Sequence, residues 1–228
     1  DKCVQVQYPL QTGPDFNSLI DVLIMKKLSW SKDGGEPRRE DIPEEEMEKA
    51  LELHHKLVEA AAENDDELME KFFDDKPLTE DELRTGIRKG LVTRSIFPVF
   101  CVDAHKDMGV QRLMEFLGNV VPFVEDMPPY RNTRGEEVAH DANGPESLYF
   151  FKTGMEPHIG EVSYFKVMSG SVKTGDDLSN ADRGSKERLG QIYACAGANR
   201  IAVDELKAGD LGCTVKLKDV KTGNTLNA

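Results

Sequence analysis

The chain has 228 residues, 39% hydrophobic and 31% charged, which suffices for one large domain or two modest ones with cores of their own. No apolar run approaches the roughly 20 residues of a membrane span. Cys3, Cys101, Cys195 and Cys213 lie far apart without CxxC spacing, so neither a zinc motif nor a disulfide framework is indicated, and reduced cysteines in a reducing compartment are expected. Net charge is −13 and uneven: residues 1–128 hold 28 acidic and 16 basic side chains, residues 129–228 hold 14 and 13. The acidic first part disfavours nucleic acid phosphates and favours a basic protein partner.

The opening DKCVQVQYPL has no Met, basic n-region or apolar h-region; it carries no secretory signal and reads as cut from something longer. Val4 to Tyr8 and Leu19 to Met25 read as strands on either side of a Thr12-Gly13-Pro14 turn, with Leu28 to Trp30 extending the second and a loop over Ser31 to Pro37. The period then changes. Met47, Ala50, Leu51, His54, Leu57, Val58, Ala61 and Ala62 fall on one helical stripe, while Glu44, Glu45, Glu48, Glu52, Glu59 and Glu63 occupy the opposite face. Asp65 or Asp66 caps a second helix whose Leu68, Met69, Phe72 and Phe73 are expected to point inward. Thr79 with Glu82 has capping-box spacing for a third, ending near Gly90.

Ser95 to Val102 is an apolar run of strand length in which Pro98 signals an edge or bulge. A loop over Asp103 to Met108 and a helix bearing Leu113, Met114, Phe116, Leu117, Val120 and Val121, stopped by Pro122, complete an α/β unit of the kind that meets ligands at strand ends. Met127-Pro128-Pro129 and the polar stretch Arg131 to Gly144 read as a linker, with the boundary near Tyr130. Beyond it, Leu148 to Lys152, Ile159 to Val167, Asp177 to Leu178, Arg188 to Cys195 and Leu211 to Leu217 are short strands with turns between them, a barrel or sandwich.

No GxxxxGK[ST] loop is present, so this chain alone is not expected to hydrolyse nucleotides, and no catalytic residues or metal ligands are assigned. His54 and His55, adjacent on a helix, point in different directions. The acidic helix face is either a solvated surface or a docking surface for a basic partner. Arg183, Lys186 and Arg188 cluster across a hairpin turn, where they can reach phosphates, or simply form an exposed loop.

Several blocks together resemble elongation factor G: Phe16 to Met25; Ala104, Lys106 and Gly109-Val110-Gln111; Gly160 to Gly170; Lys186 to Ile192; Asp204 to Leu211; Leu217-Lys218-Asp219; and Thr222 to Leu226. The resemblance implies an α+β subdomain over 1–128, the late part of a P-loop GTPase domain with a helical insertion, followed over 129–228 by an all-β closed barrel of the translation-factor type. The phosphate loop, both switch regions and the NKxD motif would lie before Asp1, leaving Asp103, Ala104, His105 and Lys106 as the last guanine-contacting loop.

The family usually has Ser-Ala, then Phe or Leu, then Lys in that loop. A carboxylate at Asp103 therefore sets an acceptor near a guanine acceptor unless it is reoriented or protonated. The resemblance further implies a cytoplasmic, monomeric, ribosome-binding fragment of a factor that promotes translocation of tRNA and mRNA. GTP with Mg is the cofactor of the parent protein and not of this fragment. The implied partners are the C-terminal domain of the ribosomal stalk protein at Glu44, Glu45, Glu48 and Glu52, small-subunit ribosomal RNA at Arg183, Lys186 and Arg188, and the rest of the GTPase domain. The alternatives are a non-hydrolysing paralogue, a ribosome-protection factor, or an unrelated acidic interaction module.

Overall fold

A computed structural model describes residues 2–196 and 199–228, which group into two units, Asp1–Asp126 and Met127–Ala228. In the first unit, β1 (Cys3–Gln5) pairs in parallel with β6 (Phe97–Val99). The strands β2 (Gln7–Pro9), β3 (Ser18–Asp21), β4 (Lys26–Ser29) and β5 (Arg38–Glu40) form an antiparallel meander. The strand expected over Leu19 to Met25 stops at Asp21, and Leu28 belongs to a separate, returning strand. The reason is local: Asp21 Oδ1 accepts the backbone N–H groups of Leu23 at 3.1 Å and Ile24 at 3.2 Å, and Met25 takes a left-handed φ of 49°, so the chain reverses. β5 escaped the sequence reading because its three residues are charged and exposed.

Three helices follow: α1 (Glu44–Ala62), α2 (Asp66–Phe73) and α3 (Glu80–Thr93). Three glutamates in the first turn of α1 suit the positive end of its dipole. Ala50, Leu57, Ala61 and Ala62 are buried along the expected stripe, but Leu51 is 52% exposed. Asp65 caps α2, and the Thr79/Glu82 capping box is formed in both directions, at 3.3 and 2.9 Å. Phe73, expected inward, closes α2 at 77% exposure; Leu68 is the side chain of that helix that is buried. α3 runs one turn past Gly90, to a left-handed Arg94. It packs closely on α1: a Cβ at Gly86 would lie 2.6 Å from the Ala61 carbonyl oxygen.

The apolar run Ser95 to Val102 contributes only the three residues of β6, and Pro98 lies in a strand with one partner among the described residues. The helix α4 (Val110–Asn119) starts at Gly109 and ends where Arg88 of α3 donates to the carbonyls of Asn119 (2.9 Å) and Val120 (3.3 Å). Val4, Val6, Tyr8 and Ile20 from the strands share one core with Leu57, Ala61, Leu83, Ile87 and Phe116 from the helices.

Inside that core lies a polar knot. Asp21 is fully buried and Arg112 nearly so. Asp21 Oδ2 accepts from Arg112 Nε at 2.8 Å and from Gln7 Nε2 at 2.9 Å, while Gln7 Oε1 accepts the Cys101 N–H at 3.2 Å. Burial alone would lower the Arg112 pKa, but Asp21 and Glu115 outweigh it and raise it.

In the second unit, the stretch read as a linker contains a hairpin of β7 (Tyr130–Arg131) and β8 (Glu137–Val138). Asn132 Oδ1 closes it by accepting the N–H groups of Arg134 and Glu136, at 2.9 and 3.0 Å. The remaining strands are β9 (Ser147–Glu156), β10 (Gly160–Ser169), β11 (Ser171–Lys173), β12 (Asp177–Asn180), β13 (Ser185–Arg188), β14 (Ile192–Ala196), β15 (Asn199–Val203), β16 (Glu205–Lys207), β17 (Leu211–Val215) and β18 (Thr225–Asn227).

Eight of them form an antiparallel sheet in the order β13-β12-β18-β9-β10-β17-β14-β15, and β11 pairs with β16. A closed barrel was expected; among the described residues no ladder joins β13 to β15. The expected strand Arg188 to Cys195 is broken at Leu189-Gly190-Gln191, where Leu189 turns into the core and Thr214 Oγ1 donates to the Gln191 carbonyl at 3.0 Å. Leu148, Phe150, Phe165, Val167, Leu178, Ile192 and Leu226 fill that core. Glu187, 3% exposed, accepts the N–H groups of Asp219 at 2.7 Å and Lys218 at 3.1 Å and so fastens the segment before β18.

Asp21→Ala strands the Arg112 charge in the core and should cost about 3–5 kcal/mol. The single tryptophan, Trp30, lies in the first unit, so urea melts followed by its fluorescence will show that loss. Glu187→Ala leaves two backbone donors unpaired and should cost about 1–3 kcal/mol, read as a lower melting temperature in the amide spectrum of the second unit. The Asp65 carboxyl is held below the usual carboxylate range, first by its hydrogen bond from Lys89. A depressed pKa contributes stability that is present above the unfolded-state value and lost as pH falls through the folded one. Titration to acid should therefore loosen α2, and Asp65→Asn should remove that part of the pH dependence.

Candidate functional site

The four glutamates singled out on α1 are all exposed. At about 100° per residue, Glu44, Glu45, Glu48 and Glu52 fall within one sector of roughly 100°, opposite the buried Ala50, Leu57 and Ala61. Glu52 is partly committed: Lys56 Nζ lies 2.6 Å away and holds its carboxyl below the usual range. Glu46, which points toward the strands, accepts from the Tyr8 hydroxyl at 3.0 Å, and Lys49 Nζ lies 3.9 Å from the centre of the Tyr8 ring. Burial, and then Glu46, push the Tyr8 hydroxyl well above its ordinary value. Tyr8 therefore anchors the start of α1 to β2 and leaves the Glu44/Glu48 side facing water. Met47 and Leu51 add apolar surface beside it, a feature hidden in the stripe that marked them as core.

The loop Asp103 to Lys106 sits at the end of β6. Asp103 Oδ1 accepts the N–H groups of His105 and Lys106, both at 3.1 Å, and Lys106 Nζ lies 3.7 Å from Oδ2. The carboxylate is thus folded back on its own loop. Asp103 and Met108 exchange backbone hydrogen bonds at 2.9 and 3.0 Å, and Lys106 Nζ donates to the Pro14 carbonyl at 2.9 Å. The loop after Trp30 supports it from below: Gly34, at φ 71°, passes so close that a Cβ would lie 1.7 Å from the Lys106 carbonyl oxygen. An open cleft of about 500 Å³ runs beside it, lined by Gln11, Thr12, Gly13, Phe16, Val102 and Ala104 among others. No cluster of histidines, cysteines or carboxylates able to hold a metal occurs among the described residues.

The basic cluster is less free than its sequence suggests. Arg183 lies 3.7 Å from Asp219 and Arg188 lies 3.7 Å from Asp177, while Lys186 is exposed on β13 between them. The histidines go separate ways: His54 Nδ1 lies 2.7 Å from the Val22 carbonyl oxygen, and the His55 ring rests against Phe72 at 5.2 Å. No helix among the described residues is long and apolar enough to cross a membrane.

Two likenesses bear on this arrangement. Residues 145–228, most of the second unit, match the family described as elongation factor G domain 2. Over its whole length the chain shares its fold with a crystal structure of a protein from Thermus thermophilus, with a TM-score of 0.79 and 24% identity. The chain spans 32% of that protein's length. The domain match bears out the elongation factor G resemblance for the sequence blocks from Gly160 onward, and the shared fold extends over the whole chain.

Gly34→Ala cannot be seated without moving the Lys106 carbonyl. It should displace the Asp103 to Met108 loop, visible as amide shifts in that loop and in Trp30, whose indole N–H donates to the Gly35 carbonyl at 3.0 Å. An unchanged spectrum would contradict the close packing of the two loops.

Proposed function

We propose that this chain is a ribosome-binding part of an elongation factor G-like translation factor that promotes translocation in the cytoplasm, acting as a monomer. The observation that carries the reading is the exposed acidic face of α1, in a chain whose residues 145–228 match elongation factor G domain 2. In this reading Glu44, Glu45, Glu48 and Glu52 receive the C-terminal domain of the ribosomal stalk protein. Each exposed charge pair contributes under about 1 kcal/mol, so the face steers the encounter more than it holds it.

The antiparallel sheet of the second unit curls into the translation-factor barrel, and Lys186, with Arg183 and Arg188 when released from their aspartates, leans on small-subunit ribosomal RNA. Phe97 and Val99 on β6, with Met114 and Leu117 on α4, leave apolar surface exposed that the rest of a GTPase sheet would cover. GTP with Mg would be held by that remainder. Asp103 to Lys106 fit only the edge of the base, and with the Asp103 carboxylate turned back, no acceptor from it opposes the guanine oxygen.

The test is an NMR titration of the chain with the stalk C-terminal domain at low and moderate salt, beside a variant with all four glutamates changed to lysine and one with glutamines. Salt-sensitive shifts confined to α1, weakened about tenfold or more in both variants, are expected. Absence of shifts at low salt would sink the docking reading.

A further inference from the structure

The terminal hairpin of the sheet, β14–β15, carries a thiol pair that the translation-factor reading does not use. β14 pairs with β17 at Ile192, Tyr193 and Ala194, opposite Thr214, Cys213 and Gly212. Cys195 lies one residue beyond the last of these pairs and, among the described residues, pairs with Arg200 of β15 alone. Because side chains alternate, Cys195 shares a face with Tyr193 and hence with Cys213 on the neighbouring strand. Cys195 and Cys213 are thus diagonal neighbours on adjacent strands, close enough for the Cys195 and Arg200 side chains to act on the Cys213 thiol. Cys213 is fully buried and Cys195 is exposed.

We propose that Cys195 and Cys213 form a peroxide-responsive pair, with Cys195 as the attacking thiol and Cys213 as the resolving one, whose disulfide pins the end of β14 onto β17.

The chemistry balances with hydrogen peroxide as oxidant. The Cys195 sulfur attacks a peroxide oxygen, the O–O bond breaks, and water leaves with Cys195 as a sulfenic acid. The Cys213 sulfur then attacks the Cys195 sulfur. The S–O bond breaks as the S–S bond forms, and the hydroxide takes the Cys213 proton as a second water. The order of events follows from access. Burial pushes the Cys213 thiol up to about 12, which keeps it protonated and slow toward solvent oxidants, while the nearby Arg200 cation favours the thiolate it must pass through.

Arg200 is itself held in place by Glu156 and lies 3.4 Å from the Tyr164 hydroxyl. The movement needed is confined to the end of β14, which beyond Ala194 pairs with β15 alone among the described residues. A bridge of this kind needs Cβ atoms about 3.5–4.5 Å apart, so the end of β14 has to draw in toward β17 as the bond forms.

The test exposes the whole chain to stoichiometric hydrogen peroxide without reductant, then tags remaining thiols in denaturant and maps them by mass spectrometry. Cys195 and Cys213 should disappear together as one linked peptide pair that a dithiol reductant restores. In Cys195→Ser, Cys213 should stay fully taggable at the same peroxide dose. In Cys213→Ser, Cys195 should accumulate as a dimedone-trapped sulfenic acid. Wild-type protein whose Cys213 remains taggable after Cys195 has been oxidised overturns the proposal, as does equal loss of Cys213 in Cys195→Ser. The wild-type map decides even where a variant fails to fold.

Discussion

A carboxylate with no solvent exposure must be matched group for group, and Asp21 imposes that requirement on most of the first unit. One of its oxygens holds the two N–H groups that turn β3 back into β4; the other holds Arg112 of α4 and Gln7 of β2. Gln7 passes the constraint to Cys101, two residues before the Asp103 loop. The sheet, the last helix and the loop at the strand end are thereby placed by one buried charge. The apolar core around them, from Val6 to Phe116, excludes the water that would otherwise compete for it.

The acidic helix is oriented from the same sheet. Tyr8 follows Gln7 on β2 and reaches Glu46 and Lys49, and the Gly86–Ala61 contact lets α3 close on the other side of α1. What remains outward is the sector with Glu44, Glu48 and Glu52. Its charge is a consequence of how the helix is clamped, and so is the exposure of Met47 and Leu51 beside it.

Where local rules governed, the sequence could be read. The capping box at Thr79, the cap at Asp65 and the main stripe of α1 follow from spacing within a few residues, and the elongation factor G blocks from Gly160 onward lie in the stretch that matches domain 2 of that factor. The errors arose where distant groups decide. The reversal after Asp21 depends on a carboxylate whose other partner is ninety-one positions away. The break at Leu189 depends on β17, and β5 has no apolar residue to announce it. The binding candidates show the same limit: spacing could place the glutamates on one face, but not that Arg183 and Arg188 meet aspartates or that Asp103 turns back on its loop.

The segment from Ser31 to Pro37 has the composition of an ordinary surface loop, the kind that drifts in length among relatives. Here its middle is pressed against the Lys106 carbonyl at Gly34, and its end is bound by the indole of Trp30. Its length is therefore fixed from both ends. Insertions should be tolerated between α2 and α3, where Asp74 to Lys76 are exposed, and excluded here, because one added residue would be transmitted straight to the Asp103 loop. A stretch that looks permissive thus serves as a spacer of set size.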